Sequence, residues 1–99
     1  MARFDVYENA AGPGYLVDVQ ADLLSPLNTR VVIPLLPADI APSRAARLNP
    51  EFMIRGLPCS LATQFMAAVP RSELKLVIAS FDREASTILD AVDFLHQGW

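Results

Sequence analysis

The sequence predicts a mainly β, α+β fold in which a barrel-like antiparallel sheet is followed by one C-terminal helix. Short β-branched or alternating runs recur between turn signals, at residues 3–7, 15–20, 29–33, 51–54 and 57–64. Eight prolines break the chain between these runs and keep them short. Only the last stretch of the sequence has the periodicity of an amphipathic helix.

Length and composition predict one domain over residues 1–99 that associates with another copy or another protein. Apolar residues make up 53% of the chain and charged residues 19%, which excludes a disordered class and leaves more apolar surface than a small monomer hides. Eight Lys and Arg stand against eleven Asp and Glu, for a net charge of −3. We therefore expect no direct binding of nucleic acid, which needs a clustered positive surface.

The cysteine count, the N-terminal residues and the length of the apolar runs predict the cellular compartment. Cys59 is the only cysteine, so no intrachain disulfide forms, and we expect a small buried side chain there. The N-terminus has no apolar signal segment, and no run approaches the roughly 18 apolar residues that span a membrane. These observations predict a cytoplasmic protein without membrane contact.

The first two runs flank a turn cluster at residues 9–14 and predict a hairpin. In the second arm, Asp18 and Gln20 alternate with apolar residues, so we expect both to face solvent. The third run is expected to stop at Pro34. Further along, Arg55 and Gly56 form a two-residue link between two strand-like runs, which is typical of a tight hairpin.

The clearest element is a helix over residues 81–97, with Ser80 as its N-cap and Gly98 ending it. Phe94 lies away from the apolar face, which favours burial of its ring against a second subunit. The predicted apolar stripe consists of Phe81, Ala85, Ile88, Val92, Leu95 and Trp99, widened by Leu89.

Candidate catalytic groups are few and do not converge. His96 stands near the end of the helix, where a solvated imidazole favoured by the helix dipole is typical. One histidine and one cysteine cannot supply a zinc site. Asp18 and Asp22 resemble a carboxylate pair, but on a strand they lie far apart and are expected to be solvated. We predict a protein that is not an enzyme, with no cofactor and no metal.

Apolar residues at chain reversals and at the terminus indicate binding instead. Leu23 and Leu24 are adjacent, so they point in opposite directions and one of them should be poorly covered, unless both are core. Trp99 ends the chain, either as a plug of the core or as a protruding aromatic anchor of the kind that dominates interfaces.

Four segments together resemble the CcdB-type toxin family. They are DVQADLL at residues 18–24, RVVIPL at residues 30–35, AVPRSEL at residues 68–74, and the last helix from ILD at residue 88 to Gly98. The resemblance runs from about Phe4 to the last residue. It implies an SH3-like barrel with a large antiparallel sheet, a small three-stranded sheet and a C-terminal helix, and a homodimer whose twofold axis lies by the helix ends.

The resemblance also implies partners. Toxins of this type bind the DNA gyrase A subunit and trap the cleaved gyrase–DNA complex. A CcdA-like antitoxin binds the dimer, displaces it from gyrase and carries the DNA-binding domain used for transcription autoregulation. The implied contacts in this chain are, for gyrase, Gln97, Gly98 and Trp99; for the antitoxin, Leu23, Leu24, Asp90 and His96, with Gln97 beside them; and for the dimer interface, Phe94, Leu95 and Trp99.

Two alternatives remain open from the sequence. A ribonuclease of the MazF/Kid type shares the implied fold and needs an arginine with an acid or threonine, for which Thr29 and Arg30 are candidates. An attenuated toxin that only binds its antitoxin is the other alternative. It is suggested by Gln97, which stands where the resembling toxins carry a tryptophan before the tail glycine.

Overall fold

The computed structural model describes residues 2–98 of the chain. The β-branched and alternating runs form strands, and the periodic stretch forms the α-helix. The strands are β1 (Asp5–Glu8), β2 (Tyr15–Asp18), β3 (Thr29–Pro37), β4 (Glu51–Ile54), β5 (Leu57–Leu61), β6 (Ala67–Pro70) and β7 (Val77–Ser80), and the helix is α1 (Ala85–Gln97).

The strands form one curled antiparallel sheet with the order β4-β5-β3-β2-β1-β7, and β6 also pairs with β3. The long strand β3 joins two parts of this sheet. Its first half pairs with β6 and its second half with β5, while β2 runs along its other edge. The large and small sheets implied by the resemblance are therefore continuous through β3. The predicted α+β, SH3-like fold class is confirmed.

The prediction that Pro34 ends the third strand is wrong. The residue pairs with Leu16 of β2, and its carbonyl accepts a hydrogen bond from Ala62 N–H at 2.8 Å. Its nitrogen faces the same edge of β3 as that carbonyl. There the neighbour changes from β6, which ends its pairing at Val32, to β5, which begins at Leu35. Because no ladder bond is needed at this junction, a residue without N–H does not interrupt the strand.

The local signal at Gly56 was correct, whereas the predicted start of the helix with Ser80 as its N-cap was wrong, because a 3₁₀ turn at Asp82–Glu84 precedes α1, which begins at Ala85. Arg55 and Gly56 connect β4 and β5 with φ of 52° and 80°, the left-handed pair that a type I′ hairpin turn requires. Ser80 Oγ accepts a hydrogen bond from Asp82 N–H at 3.3 Å ahead of α1. Gly98 ends the helix in the left-handed conformation, and its N–H donates to Phe94 O at 2.8 Å.

Both faces of the sheet are covered. The main core lies between the concave face and α1, which buries Ile88 and Ala91 fully. A smaller cluster covers the opposite face and consists of Tyr7, Leu16, Val32 and Leu74, with Val69 against it. Ala91 rather than Leu95 completes the buried side of the helix, so α1 is rotated from the predicted stripe. That rotation leaves Leu89, Val92 and Leu95 incompletely covered.

Candidate partner-binding surface

An apolar groove lies where the uncovered side of α1 meets the start of β3 and the loop before it. The groove, which we call the α1 groove, has a volume of about 360 Å³. Its floor and walls are largely aliphatic, and polar groups lie at its rim. Apolar surface left open beside a helix is typical of a macromolecular contact. The lining residues are Arg3, Val19, Gln20, Ala21, Leu24, Leu27, Thr29, Val31, Met66, Leu89 and Val92.

A 3₁₀ turn, Asp22–Leu24, carries the two adjacent leucines and is called the leucine turn below. Leu24 is 47% exposed and lines the groove, whereas Leu23 is 89% exposed and lies outside its lining. The prediction of one poorly covered leucine underestimates the exposure, because both are exposed on a 3₁₀ turn rather than alternating along a strand. The alternative in which both are core is wrong, because the chain leaves β2 at Asp18 and the leucines lie on a surface turn.

The leucine turn is held by polar side chains. Buried Gln20 donates from Nε2 to Leu24 O at 3.1 Å and accepts Val31 N–H at its Oε1, also at 3.1 Å. Asp22 Oδ1 accepts a hydrogen bond from Arg3 N–H at 2.8 Å. The expectation that Gln20 faces solvent is wrong. Its buried amide forms hydrogen bonds with Leu24 O of the turn and Val31 N–H of β3, and so provides these backbone groups with partners.

The other predicted contact residues lie on α1 from Asp90 to its C-terminal end. Asp90, His96 and Gln97 are exposed, as is Gly98 at the helix end. Leu95 is 37% exposed. Trp99, predicted for both the gyrase contact and the dimer interface, lies outside the described residues. The leucine turn and this part of the helix share the groove through Leu24 and Val92.

Phe94 lies on the side of α1 that carries Asp90, beneath a side chain from the long loop between β3 and β4. The Arg47 guanidinium lies 4.9 Å from the centroid of the Phe94 ring, a cation–π arrangement. The same guanidinium forms a two-bond contact with Asp90, at 3.0 Å from Nε to Oδ2 and 2.9 Å from Nη2 to Oδ1. The aromatic ring on the polar side of the helix therefore has a partner within its own chain.

The pKa of Asp90 provides a test of this contact. Hydrogen bonding to Arg47 lowers the pKa of the Asp90 carboxyl below its ordinary value. A lowered pKa in the folded state means that the stabilisation is present above the ordinary carboxyl pKa and is lost as pH falls through the folded value. We expect NMR titration to show a low midpoint for Asp90 that returns to the ordinary range in Arg47→Ala.

Arg55→Ala is the matched control, because Arg55 forms the comparable exposed ion pair with Glu8, at 3.0 Å. This variant should leave the Asp90 midpoint unchanged. An Asp90 midpoint that stays low in Arg47→Ala would show that the carboxyl is not held by Arg47.

A buried ion pair on the sheet was not predicted from the sequence. Asp18 and Arg30 are both fully buried, with Arg30 Nε and Nη2 at 2.8 and 2.7 Å from Asp18 Oδ2. Burial raises the pKa of Asp18 although Arg30 and the Gln20 N–H act in the opposite direction. The expectation of a solvated Asp18 is wrong, because the second face of the sheet is covered around Tyr7 and Leu74.

This pair also removes the predicted ribonuclease candidate. Arg30 has no exposed surface and its guanidinium is engaged by Asp18, so it cannot reach an RNA phosphate. Thr29 beside it is exposed at the start of β3, but it has lost the proposed arginine partner. Asp22, the other member of the suggested carboxylate pair, is exposed and accepts the Arg3 N–H.

The described residues offer little else that is reactive. Cys59 is buried, as predicted, and burial raises the pKa of its thiol. Within residues 2–98, no three His, Cys, Asp or Glu side chains lie together in a way that could hold a metal ion. In that same part of the chain, no helix is both long and apolar enough to cross a membrane.

The curled antiparallel sheet with one terminal helix defines a small α+β protein of the SH3-like barrel class. The family model described as CcdB protein matches residues 3–98, nearly the whole chain. The chain therefore belongs to the CcdB family, a family of toxins from toxin–antitoxin systems. The comparison with curated proteins gave no match.

Proposed function

We propose that this toxin is a homodimer that binds the A subunit of DNA gyrase and traps the cleaved gyrase–DNA complex in the cytoplasm, and that a CcdA-like antitoxin neutralises it. Family membership supports the proposal, and one structural observation carries it to this chain. The α1 groove leaves Leu24 and Val92 open beside the helix that leads into the tail. A grip made by shape and apolar contact needs no catalytic group, cofactor or metal.

The residue roles divide along this surface. We assign the gyrase contact to Gln97, Gly98 and Trp99, because Gln97 is exposed at the end of α1 and Gly98 ends the helix in the left-handed conformation. We assign the antitoxin contact to the leucine turn, with Asp90 and His96. In this scheme, the toxin reaches DNA only through gyrase and through the antitoxin that autoregulates transcription.

Plasmid cleavage by gyrase tests the poison directly. The purified toxin is incubated with gyrase, ATP and supercoiled plasmid, and linear DNA is measured after detergent and protease. We expect linear DNA with the full chain and none after deletion of Gly98 and Trp99. Leu57→Ser is the matched control, since Leu57 is an exposed apolar residue that shares no part of the α1 groove. It should yield as much linear DNA as the full chain does.

The other outcomes identify the alternatives. Cleavage of single-stranded RNA without linear DNA would favour the ribonuclease, which the burial of Arg30 weighs against. Binding of the antitoxin with neither cleavage would favour the attenuated toxin. Gln97 in place of the tail tryptophan favours that second candidate, because an amide buries less apolar surface than an indole.

The dimer is expected to cover the part of the α1 groove lined by Leu27 and Val92 and to leave the leucine turn open to the antitoxin. Leu95 continues the apolar side of α1 beyond Val92 and is 37% exposed, and we assign it to the dimer interface together with Phe94 and, from the sequence alone, Trp99. Leu27, which lines the groove and is 50% exposed, gives the sharpest probe. We expect Leu27→Asp to weaken dimerisation by about 30-fold or more in analytical ultracentrifugation, because a buried charge would replace an apolar contact.

Leu57→Asp is the control for the dimer, since it places the same charge at a similarly exposed leucine outside the groove. It should dimerise as the unaltered chain does. Equal weakening by both substitutions, or by neither, would remove the α1 groove from the interface.

A further inference from the structure

We propose that Gln20 is a positioning residue that fixes the leucine turn, so that Leu23 meets the antitoxin already in its bound arrangement. The inference rests on the antitoxin contact proposed above. The occupant we assign to Leu23 is an apolar segment of the antitoxin, because burial of a leucine in an apolar contact is what stabilises binding at such a side chain.

The position of Leu23 is not fixed by packing of its own side chain. That side chain is 89% exposed. The turn around it has only short-range backbone bonds, from Leu24 N–H to Ala21 O at 2.9 Å and from Ser25 N–H to Asp22 O at 3.0 Å. A turn of this length with only its own backbone bonds opens readily in water, so its order depends on ties from outside it. Arg3 N–H supplies one such tie at Asp22 Oδ1, 2.8 Å away, and Gln20 supplies the tie at Leu24.

Gln20 ties the leucine turn to the middle of the sheet. One end of its buried amide accepts Val31 N–H from β3, and the other end donates to Leu24 O within the turn. Its own N–H donates to Asp18 Oδ1 at 3.0 Å, which links it to the buried ion pair. The side chain thus links strand β3 to the leucine turn. Because the turn is already ordered in the folded toxin, binding of the antitoxin does not incur the entropy cost of ordering it.

Gln20→Met tests this role. Methionine is similar in length and carries no charge, but it makes neither the bond to Leu24 nor the bond to Val31. Affinity is measured by calorimetry with the full-length antitoxin encoded beside the toxin gene. We expect Gln20→Met and Leu23→Ala each to weaken binding by about tenfold. The double variant should bind less weakly than two independent tenfold effects would give, because part of the loss caused by a loosened turn is the misplacement of Leu23, which Leu23→Ala has already removed.

That lack of additivity separates positioning from general support, since Gln20 and Leu23 share no hydrogen bond and independent effects would multiply. Asn49→Ala is the matched control. Asn49 is another buried amide, which donates to Leu61 O at 2.9 Å and Gln64 Oε1 at 2.7 Å, away from the leucine turn. Its loss should lower stability and leave the affinity unchanged. Hydrogen exchange at the Val31 amide should speed up in Gln20→Met only.

The outcomes separate this inference from the proposed function. If the unaltered toxin does not bind the antitoxin, the antitoxin contact is wrong and the role of Gln20 falls with it. If the toxin binds and Leu23→Ala weakens it, but Gln20→Met binds normally, only the positioning role is wrong. Multiplying effects in the double variant, or a loss of affinity in Asn49→Ala as large as in Gln20→Met, would also overturn it.

Discussion

Asp18→Ala is expected to destabilise the protein by about 3–5 kcal/mol, because the Arg30 charge then stays buried without a counterion. Among the described residues, the Arg30 guanidinium contacts the Asp18 carboxylate through Nε and Nη2. The guanidinium cannot turn to solvent without disturbing the sheet, since Arg30 lies within β3 and has no exposed surface. The free energy of unfolding of a domain of this size is about 5–15 kcal/mol, so the variant should be largely unfolded at the midpoint temperature of the unaltered protein.

Urea unfolding at one fixed protein concentration measures the effect, since dimer formation also changes apparent stability. Glu8→Ala is the control. It breaks the exposed Glu8–Arg55 pair, which is expected to cost about 0–1 kcal/mol. The double variant Asp18→Leu with Arg30→Met should recover most of the free energy of unfolding that Asp18→Ala loses, because no unpaired charge remains buried. Equal costs for Asp18→Ala and Glu8→Ala would show that Arg30 reaches water.

The elements that the sequence predicts best are those decided by neighbouring residues. The turn at Arg55 and Gly56 and the end of the helix at Gly98 depend on backbone conformation and capping, which are local properties. Asp18 was misplaced for the opposite reason. Alternation marks the two faces of a strand, but a second cluster elsewhere in the chain decides whether the polar face is covered.

The candidate site shows the same division. The sequence indicated one exposed leucine from two adjacent leucines before a turn signal, but it did not show that the segment is a 3₁₀ turn that exposes both. The contact of Arg47 with Phe94 and Asp90 joins residues 43 positions or more apart, and nothing in the loop sequence indicates where it folds back. The signal available for Gln20 was its amide beside a turn, since such groups commonly satisfy backbone atoms at the ends of strands.

Gly14→Ala is expected to cost about 3 kcal/mol or more, because two penalties act on one methyl group. Gly14 has a φ of +82°, a left-handed conformation that alanine adopts only with strain. A Cβ there would also overlap the carbonyl oxygen of Leu35, a backbone atom of the central strand β3. That strand is paired on both edges at Leu35, so it cannot give way without disturbing β2 and β5.

The same substitution at two other glycines distinguishes backbone strain from steric overlap of the added Cβ. Gly56 has a φ of +80°, and a Cβ at this position would meet no other atom within 4 Å, so Gly56→Ala should show the strain alone, about 1 kcal/mol. At Gly12 the nearest atom to such a Cβ is Asn9 Nδ2, at an ordinary 3.8 Å, and Gly12→Ala should be neutral or slightly stabilising. Urea unfolding of the three variants should rank them Gly14, Gly56, Gly12 from largest to smallest loss. If Gly14→Ala costs no more than Gly56→Ala, the β1–β2 connection does not approach β3 closely, and Leu35 does not select glycine there.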